Sequence, residues 1–258
     1  MSLKFTILGC GSSMGVPRSD GFFGNCNPKN IKNYRTRCSA ILQTNSENIL
    51  IDTSPDLRSQ LINNKIKKID KVLYSHMHAD QTHGINDLRV FFIKRKKPLP
   101  IYTDKNTKNY LSNNFSYCFK NTNSEYPAIL KLNLVKNKFY VKNGSKKISV
   151  RSLKVEHGKV KSICYIFDRK LAYISDVSKI YNKDFKYFKN LKYLIIDCLW
   201  YKNHPSHLNL EQSLKLIKIF SPKKAILTNL HTELDYETLR KKLPKNIIPA
   251  YDGLKLYF

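Results

Sequence analysis

Short apolar runs alternate with polar stretches along the whole chain. Leu3 to Leu8, Ser39 to Gln43, Asn48 to Asp52 and Lys71 to Tyr74 read as strands in the first half. Ile148 to Val155, Ile163 to Phe167, Leu171 to Ile174, Leu194 to Ile196, Ala225 to Leu227 and Leu254 to Tyr257 do so in the second. Helical spacing is clearest over Leu208 to Phe220, where Leu210, Leu214, Ile217 and Phe220 share one face. Ser54-Pro55-Asp56 opens a helix with a capping hydroxyl and Pro at its first position. Ile85, Leu88, Val90, Phe91 and Phe92 predict a short helix, Asp104 caps another through Tyr117, and Tyr236 to Leu243 predicts the last. Asn121 to Tyr126 and Asn137 to Lys147 are linker-like but too short for a domain boundary, so one domain over 1–258 is expected.

The two halves share an order: strands, a loop with a polar cluster, then a helix. Two sheets packed face to face, with helices outside, would bring the clusters to one rim. The predicted class is α/β, as a four-layer αβ/βα sandwich.

The chemistry lies in those clusters. His76-Met77-His78-Ala79-Asp80 follows a strand, and alternate residues of an extended loop point the same way. Two imidazoles can therefore meet one cation while Asp80 reaches a second. His157, Asp176 and His231 each follow a strand as well, where a rim site would want them. His204 and His207 precede the Leu208 to Phe220 helix. A histidine near a phosphate can protonate a leaving oxygen. Asp197 ends an apolar strand, a place from which a carboxylate orients an imidazole or caps backbone amides. Gly9-x-Gly11-Ser12-Ser13 suits either a tight turn or a backbone cradle for phosphate.

Taken in order, His76-x-His78-x-Asp80 with Gly84, the lone His157-Gly158, Ser175-Asp176 and Thr228-x-x-His231 resemble the metallo-β-lactamase fold hydrolases across essentially the whole chain. Gly9 to Pro17, Gly84 to Arg89 and Pro249 to Gly253 look like the branch containing the phosphoribosyl cyclic phosphodiesterase of phosphonate breakdown. The tRNA 3′-processing endonucleases are more distant. The resemblance implies that His76, His78 and His157 hold one metal, that Asp176 bridges, and that Asp80 and His231 belong to a second. It implies Zn²⁺ or Mn²⁺, hydrolysis of a small phosphate ester, cyclic esters included, by a metal-bound hydroxide, and His207 as a general acid or phosphate contact. Asp80 helps hold the hydroxide, and Arg37, beside Arg35, lines the substrate cleft. RNA processing and thioester hydrolysis use the same ligands, and a binding protein with a decayed site is a further alternative.

Two departures bear on the second metal. The family usually carries a histidine where this chain has Gln81, and relatives often carry one where it has Asn229. One firmly bound cation and a weaker second site are expected. His83 either replaces the missing ligand or donates a hydrogen bond nearby or caps a helix. A structural zinc found in the related phosphodiesterase is expected to be absent, because Cys26 alone remains of its cysteine cluster.

Charge adds one ambiguity. The chain has 46 Lys+Arg against 19 Asp+Glu, a net +27, which draws anions at low salt and raises nucleic acid as a partner. The basic residues are scattered rather than gathered in one arm, and with only 9 Gly among abundant Lys, Asn and Ile, biased coding explains them as well. A small phosphate ester is the favoured partner, with a homodimer as the candidate assembly. The 6 cysteines include no Cys-x-x-Cys pair, and no apolar run reaches the length of a signal core or membrane span, so a cytoplasmic protein is expected.

Overall fold

Strands between two cores must be apolar at every position, and this explains the continuous apolar runs. In the computed structural model, which describes residues 3–121 and 126–258, Leu194 and Ile196 pack into an outer core while Ile195 between them packs into an inner one. The described strands form two seven-stranded sheets. The first holds β1 (Lys4–Gly9), β2 (Ser39–Gln43), β3 (Asn48–Ile51), β4 (Lys71–Leu73), β5 (Leu99–Thr103), β6 (Leu130–Leu134) and β14 (Lys255–Tyr257), in the order β14-β1-β2-β3-β4-β5-β6. The second holds β7 (Lys138–Asn143), β8 (Lys146–His157), β9 (Val160–Phe167), β10 (Leu171–Ile174), β11 (Tyr193–Asp197), β12 (Lys224–Thr228) and β13 (Ile247–Pro249), ordered from β13 to β7. Pairing is parallel from β3 to β6 and from β10 to β13, and antiparallel elsewhere.

Between the sheets, Phe5, Leu42 and Ile51 meet Val150, Tyr165, Phe167 and Tyr173. The outer face of the first sheet is covered by α1 (Leu57–Asn63), α3 (Arg89–Arg95) and α4 (Lys105–Asn114). That of the second is covered by α5 (Leu210–Phe220) and α6 (Tyr236–Lys242). The short α2 (Ala79–Thr82) lies in the loop after β4. This is the expected four-layer αβ/βα sandwich. The polar loops leave the C-terminal ends of the parallel strands, so both sheets present their clusters at one rim. The rims are tied by Ile163 N, which donates to Ser75 O at 2.9 Å, and by the Tyr165 hydroxyl, which donates to Tyr74 O at 2.8 Å.

Several boundaries differ from the sequence reading. Asn137 to Lys147 is no linker but most of the β7–β8 hairpin, and its Lys and Asn residues reflect an edge strand with one wet face. Residues 122–125 of the other linker-like stretch lie outside the described residues. β5, β6 and β13 were hidden by Pro98, Pro100 and Pro249 or by interspersed Lys and Asn. Asp104 caps α4 by accepting from Thr107 N at 2.9 Å, but α4 stops at Asn114. At α1 the N-cap is Asp56, without a side-chain cap bond, while the Ser54 hydroxyl accepts from Asp56 N. No described helix is long and apolar enough to cross a membrane.

Asp235 fastens α6 to the N-terminal loop. It accepts from Thr238 N at 2.9 Å, Asn33 Nδ2 at 2.7 Å and Asn27 N at 3.2 Å. Burial alone would raise its pKa, but these donors outweigh it and hold the carboxyl at about 2. A depressed carboxyl contributes stability above its unfolded pKa of about 4, lost as pH falls through the folded value. Asp235→Ala should therefore cost about 1–2 kcal/mol at pH 7, as a lost cap with a buried partner does. In urea unfolding, its gap to the natural protein should narrow as pH falls below about 4.

Candidate metal centre

His76 and His78 emerge just past β4, and the chain turns at once into α2. Gly84 makes that turn fit, because a Cβ there would lie 2.0 Å from Ser54 O. His157 ends β8, where the hairpin reverses at Gly158 with φ +59° and presses on Ser206. Asp176 follows β10, Asp197 ends β11, and Asn229 follows β12.

These ends bring four of the seven histidines together. His76 Nε2 lies 3.0 Å from His78 Nδ1, which lies 3.1 Å from His157 Nε2. The far nitrogens of two rings are engaged from behind: His76 Nδ1 by the Ser75 hydroxyl at 3.0 Å, and His157 Nδ1, donating to Ser206 O at 2.7 Å. Lone pairs converging this closely repel unless a cation sits among them. Burial lowers all three pKa values, that of His76 to about 3, with neighbouring imidazoles adding to the effect. They are thus neutral at pH 7, the form that ligates metal. His157, Asp176 and His207 form a second group, with candidate ligand atoms within 4.8 Å of one another. Burial works against ionised Asp176, but His76, His157 and His207 outweigh it and hold its carboxyl below the usual range.

His207 is backed by Asp197, whose Oδ2 accepts from Nδ1 at 2.8 Å and from Val177 N at 3.0 Å. Burial pulls the imidazole down, but the Asp197 charge and hydrogen bond, with Asp176 and Asp80, raise it to about 9. Burial lifts Asp197 to about 6 against the pull of His207, so the two form an ion pair at neutral pH.

Two amides stand beside the carboxylates. Gln81 Nε2 donates to Asp80 Oδ2 at 3.0 Å and to Asp176 Oδ2 at 3.3 Å. Asn229 Nδ2 donates to Ser175 O at 3.0 Å and to Asp176 Oδ1 at 3.3 Å. Both amides are buried, and their oxygens have no hydrogen-bond partner. Burial, then Asp176, raises Asp80 to about 6. The donor set thus fits one divalent cation among His76, His78 and His157, with Asp176 beside His157. It does not fit a second in the same way, since N–H groups face the carboxylates where imidazole lone pairs would be needed.

The remaining residues singled out from sequence lie elsewhere. His231 is not brought to the cluster: its ring stacks on Trp200 at 5.0 Å and 11°, and Nδ1 lies 3.2 Å from the Thr232 hydroxyl. Asn229, two residues earlier, faces Asp176 in its stead. His83 is exposed, 3.1 Å from the Tyr110 hydroxyl, and does not replace the missing ligand. Arg37 is held bidentately by Asp56 at 2.7 and 2.5 Å, close enough to Asp80 to feel its charge. Arg35 is buried and donates to Leu234 O at 2.8 Å and Asn33 Oδ1 at 3.0 Å, so its guanidinium is taken up by the protein itself. The amides of Gly11, Ser12 and Gly15 donate to Thr36 O, Leu230 O and Ser12 O, which leaves no phosphate cradle among them.

Sequence reasoning missed Asp52, Ser75 and Ser206. Buried Asp52 accepts from Ser75 N at 2.7 Å, and Ser75 in turn orients His76. The signal available was a polar residue beside each ligand.

Residues 47–229 match a beta-lactamase superfamily domain. The chain belongs to the beta-lactamase superfamily, and with it to the metal-dependent hydrolases of metallo-β-lactamase fold. Among solved structures, a diphosphatase from the PhnP family is 30% identical over 100% of this chain and 98% of its own, with a TM-score of 0.88. The short form of human tRNase Z, 16% identical over 98% of both chains with a TM-score of 0.69, shares the fold. An octanoyltransferase of Porphyromonas gingivalis is 30% identical over 257 residues, 98% of this chain. The superfamily chain spans about half the length of that curated relative, 51%.

Proposed function

We propose that the chain is a metal-dependent phosphohydrolase acting on a small phosphodiester or diphosphate, cyclic esters included. One observation carries the reading: three imidazoles and the Asp176 carboxylate converge at the rim beside His207, whose Nδ1 is held by Asp197. The 30% identity with a PhnP-family diphosphatase over nearly all of both chains supports the substrate class.

In this reading His76, His78, His157 and Asp176 hold one Zn²⁺ or Mn²⁺, both of which suit imidazole and carboxylate ligands. When bound, such a cation polarises a phosphoryl oxygen and acidifies a coordinated water. Ser75 and Ser206 fix the His76 and His157 rings so that Nε2 of each faces inward. Gln81 and Asn229 steer the Asp176 oxygens. Asp80, a carboxylate at neutral pH, accepts a proton from the attacking water. Asp197 accepts a hydrogen bond from His207 Nδ1–H, leaving the other ring nitrogen to protonate the departing oxygen. Arg37 adds positive charge at the edge of the cleft. The test is a panel of bis(p-nitrophenyl) phosphate, a cyclic phosphate, a diphosphate and an acyl thioester, each with Zn²⁺ or Mn²⁺. Turnover of a phosphate substrate is expected, and turnover confined to the thioester would overturn the reading.

A second reading, thioester hydrolysis, draws support from the similarity to half of an octanoyltransferase, an acyl-transferring protein. The same panel separates the two.

Asp197 acts through His207, and this gives a sharper expectation. Asp197→Asn should lower kcat about 10–100-fold, as loss of a residue that orients a site imidazole does, with metal content unchanged by elemental analysis. A loss of metal alongside activity would mean that Asp197 supports the ligands instead.

A further inference from the structure

A hollow of about 690 Å³ lies on the outer side of the second sheet, away from the metal centre. Five cations line it: Lys138 on β7, Arg151 on β8, Arg169 in the β9–β10 turn, and Lys186 and Lys189 before β11. Among the described residues no carboxylate lines it. Among the described residues none of the five has a salt-bridge partner, and Asp168, beside Arg169, is taken by Lys170 at 2.8 Å. Arg151 is half-buried with its guanidinium 4.0 Å from the centre of the Tyr187 ring. That stacking fixes the guanidinium plane while leaving its N–H edge free to bond.

Like charges around one concavity repel, and low-dielectric walls strengthen the repulsion. Elsewhere the chain relieves such strain with carboxylates, as at Arg37–Asp56 and Lys71–Glu47. Here no carboxylate among the described residues forms a salt bridge with the five. Arg151 and His157 lie six residues apart on β8, about 20 Å at ~3.3 Å per residue, and the hollow adjoins the N-terminal ends of β10 and β11. Asp176 and Asp197 mark the opposite ends of those strands. The hollow is therefore separate from the metal centre, and its size is that of a small-molecule pocket, roughly 300–1,000 Å³, rather than of a groove for an extended strand.

We propose that this hollow is a second binding site, for a small anion carrying two or more phosphate groups. Guanidinium forks bind phosphate oxygens in pairs, and the lysines add point charges around them. The site stands whether or not the metal centre hydrolyses phosphate esters.

Isothermal titration with inorganic tripolyphosphate at roughly physiological salt, where diffuse attraction is screened, tests it. The full chain should bind one equivalent beyond any taken by the metal centre. Arg151→Ala/Arg169→Ala should weaken binding at least about tenfold, the effect of losing charge-assisted hydrogen bonds. Lys186→Ala/Lys189→Ala, at exposed positions, should weaken it as well. Lys65→Ala/Lys67→Ala removes the same charge elsewhere and should leave binding unchanged. The proposal is overturned by no binding at this salt, by equal weakening in the Lys65/Lys67 control, or by loss in His78→Ala with the arginine variant unaffected. Capture of a single-stranded RNA through the same arginines with no tripolyphosphate binding would overturn it too.

Discussion

His78→Ala should reduce hydrolysis of bis(p-nitrophenyl) phosphate with Zn²⁺ or Mn²⁺ by at least about 10³-fold, since loss of even one stabilising donor can cost about 10²–10³. His78 Nδ1 is the middle of the three nitrogens, in contact with both His76 and His157. Without it the other two imidazoles keep their places but lose the ligand between them. The side chain is exposed and its ring nitrogen contacts those two rings, so thermal unfolding of the metal-free variant should match the natural chain. Elemental analysis should show metal lost together with activity. Retained turnover would remove the assignment of the metal centre.

Gln81→His with Asn229→His should raise metal content from one ion per chain to two. Both amides now point N–H groups at Asp80 and Asp176, which neutralises part of the carboxylate charge without offering a lone pair. Imidazoles at the two positions would supply nitrogen ligands beside carboxylates already in place. The Mn²⁺-loaded double variant should then show the magnetic coupling of a paired-ion centre. Two ions in the natural chain would contradict the single-cation reading, and none in either protein would contradict the metal centre itself.

The layered fold was legible because strands between two cores announce themselves by continuous apolar character, as β10 and β11 do. β6 and β7 were not, since an exposed face admits Lys131, Asn133, Lys138 and Lys142, and short-range pattern then resembles a loop. Candidate ligands at strand ends were legible for the same topological reason. Their partners were harder to find, because what orients a ring is often backbone. The Ser206 carbonyl behind His157 has no side-chain signature, and Asn229 meets Asp176 only because β12 lies next to β11, one strand beyond β10. His231 has the right chemistry in the right neighbourhood, but the chain turns it onto Trp200.

The peptide unit joining Ser206 to His207 has a consequence for how the site keeps time with itself. Its carbonyl accepts from His157, while the side chain that follows is held by Asp197. The two imidazoles are thereby linked through one rigid plane of six atoms. A displacement of either ring is passed to the other by the loop between β11 and α5.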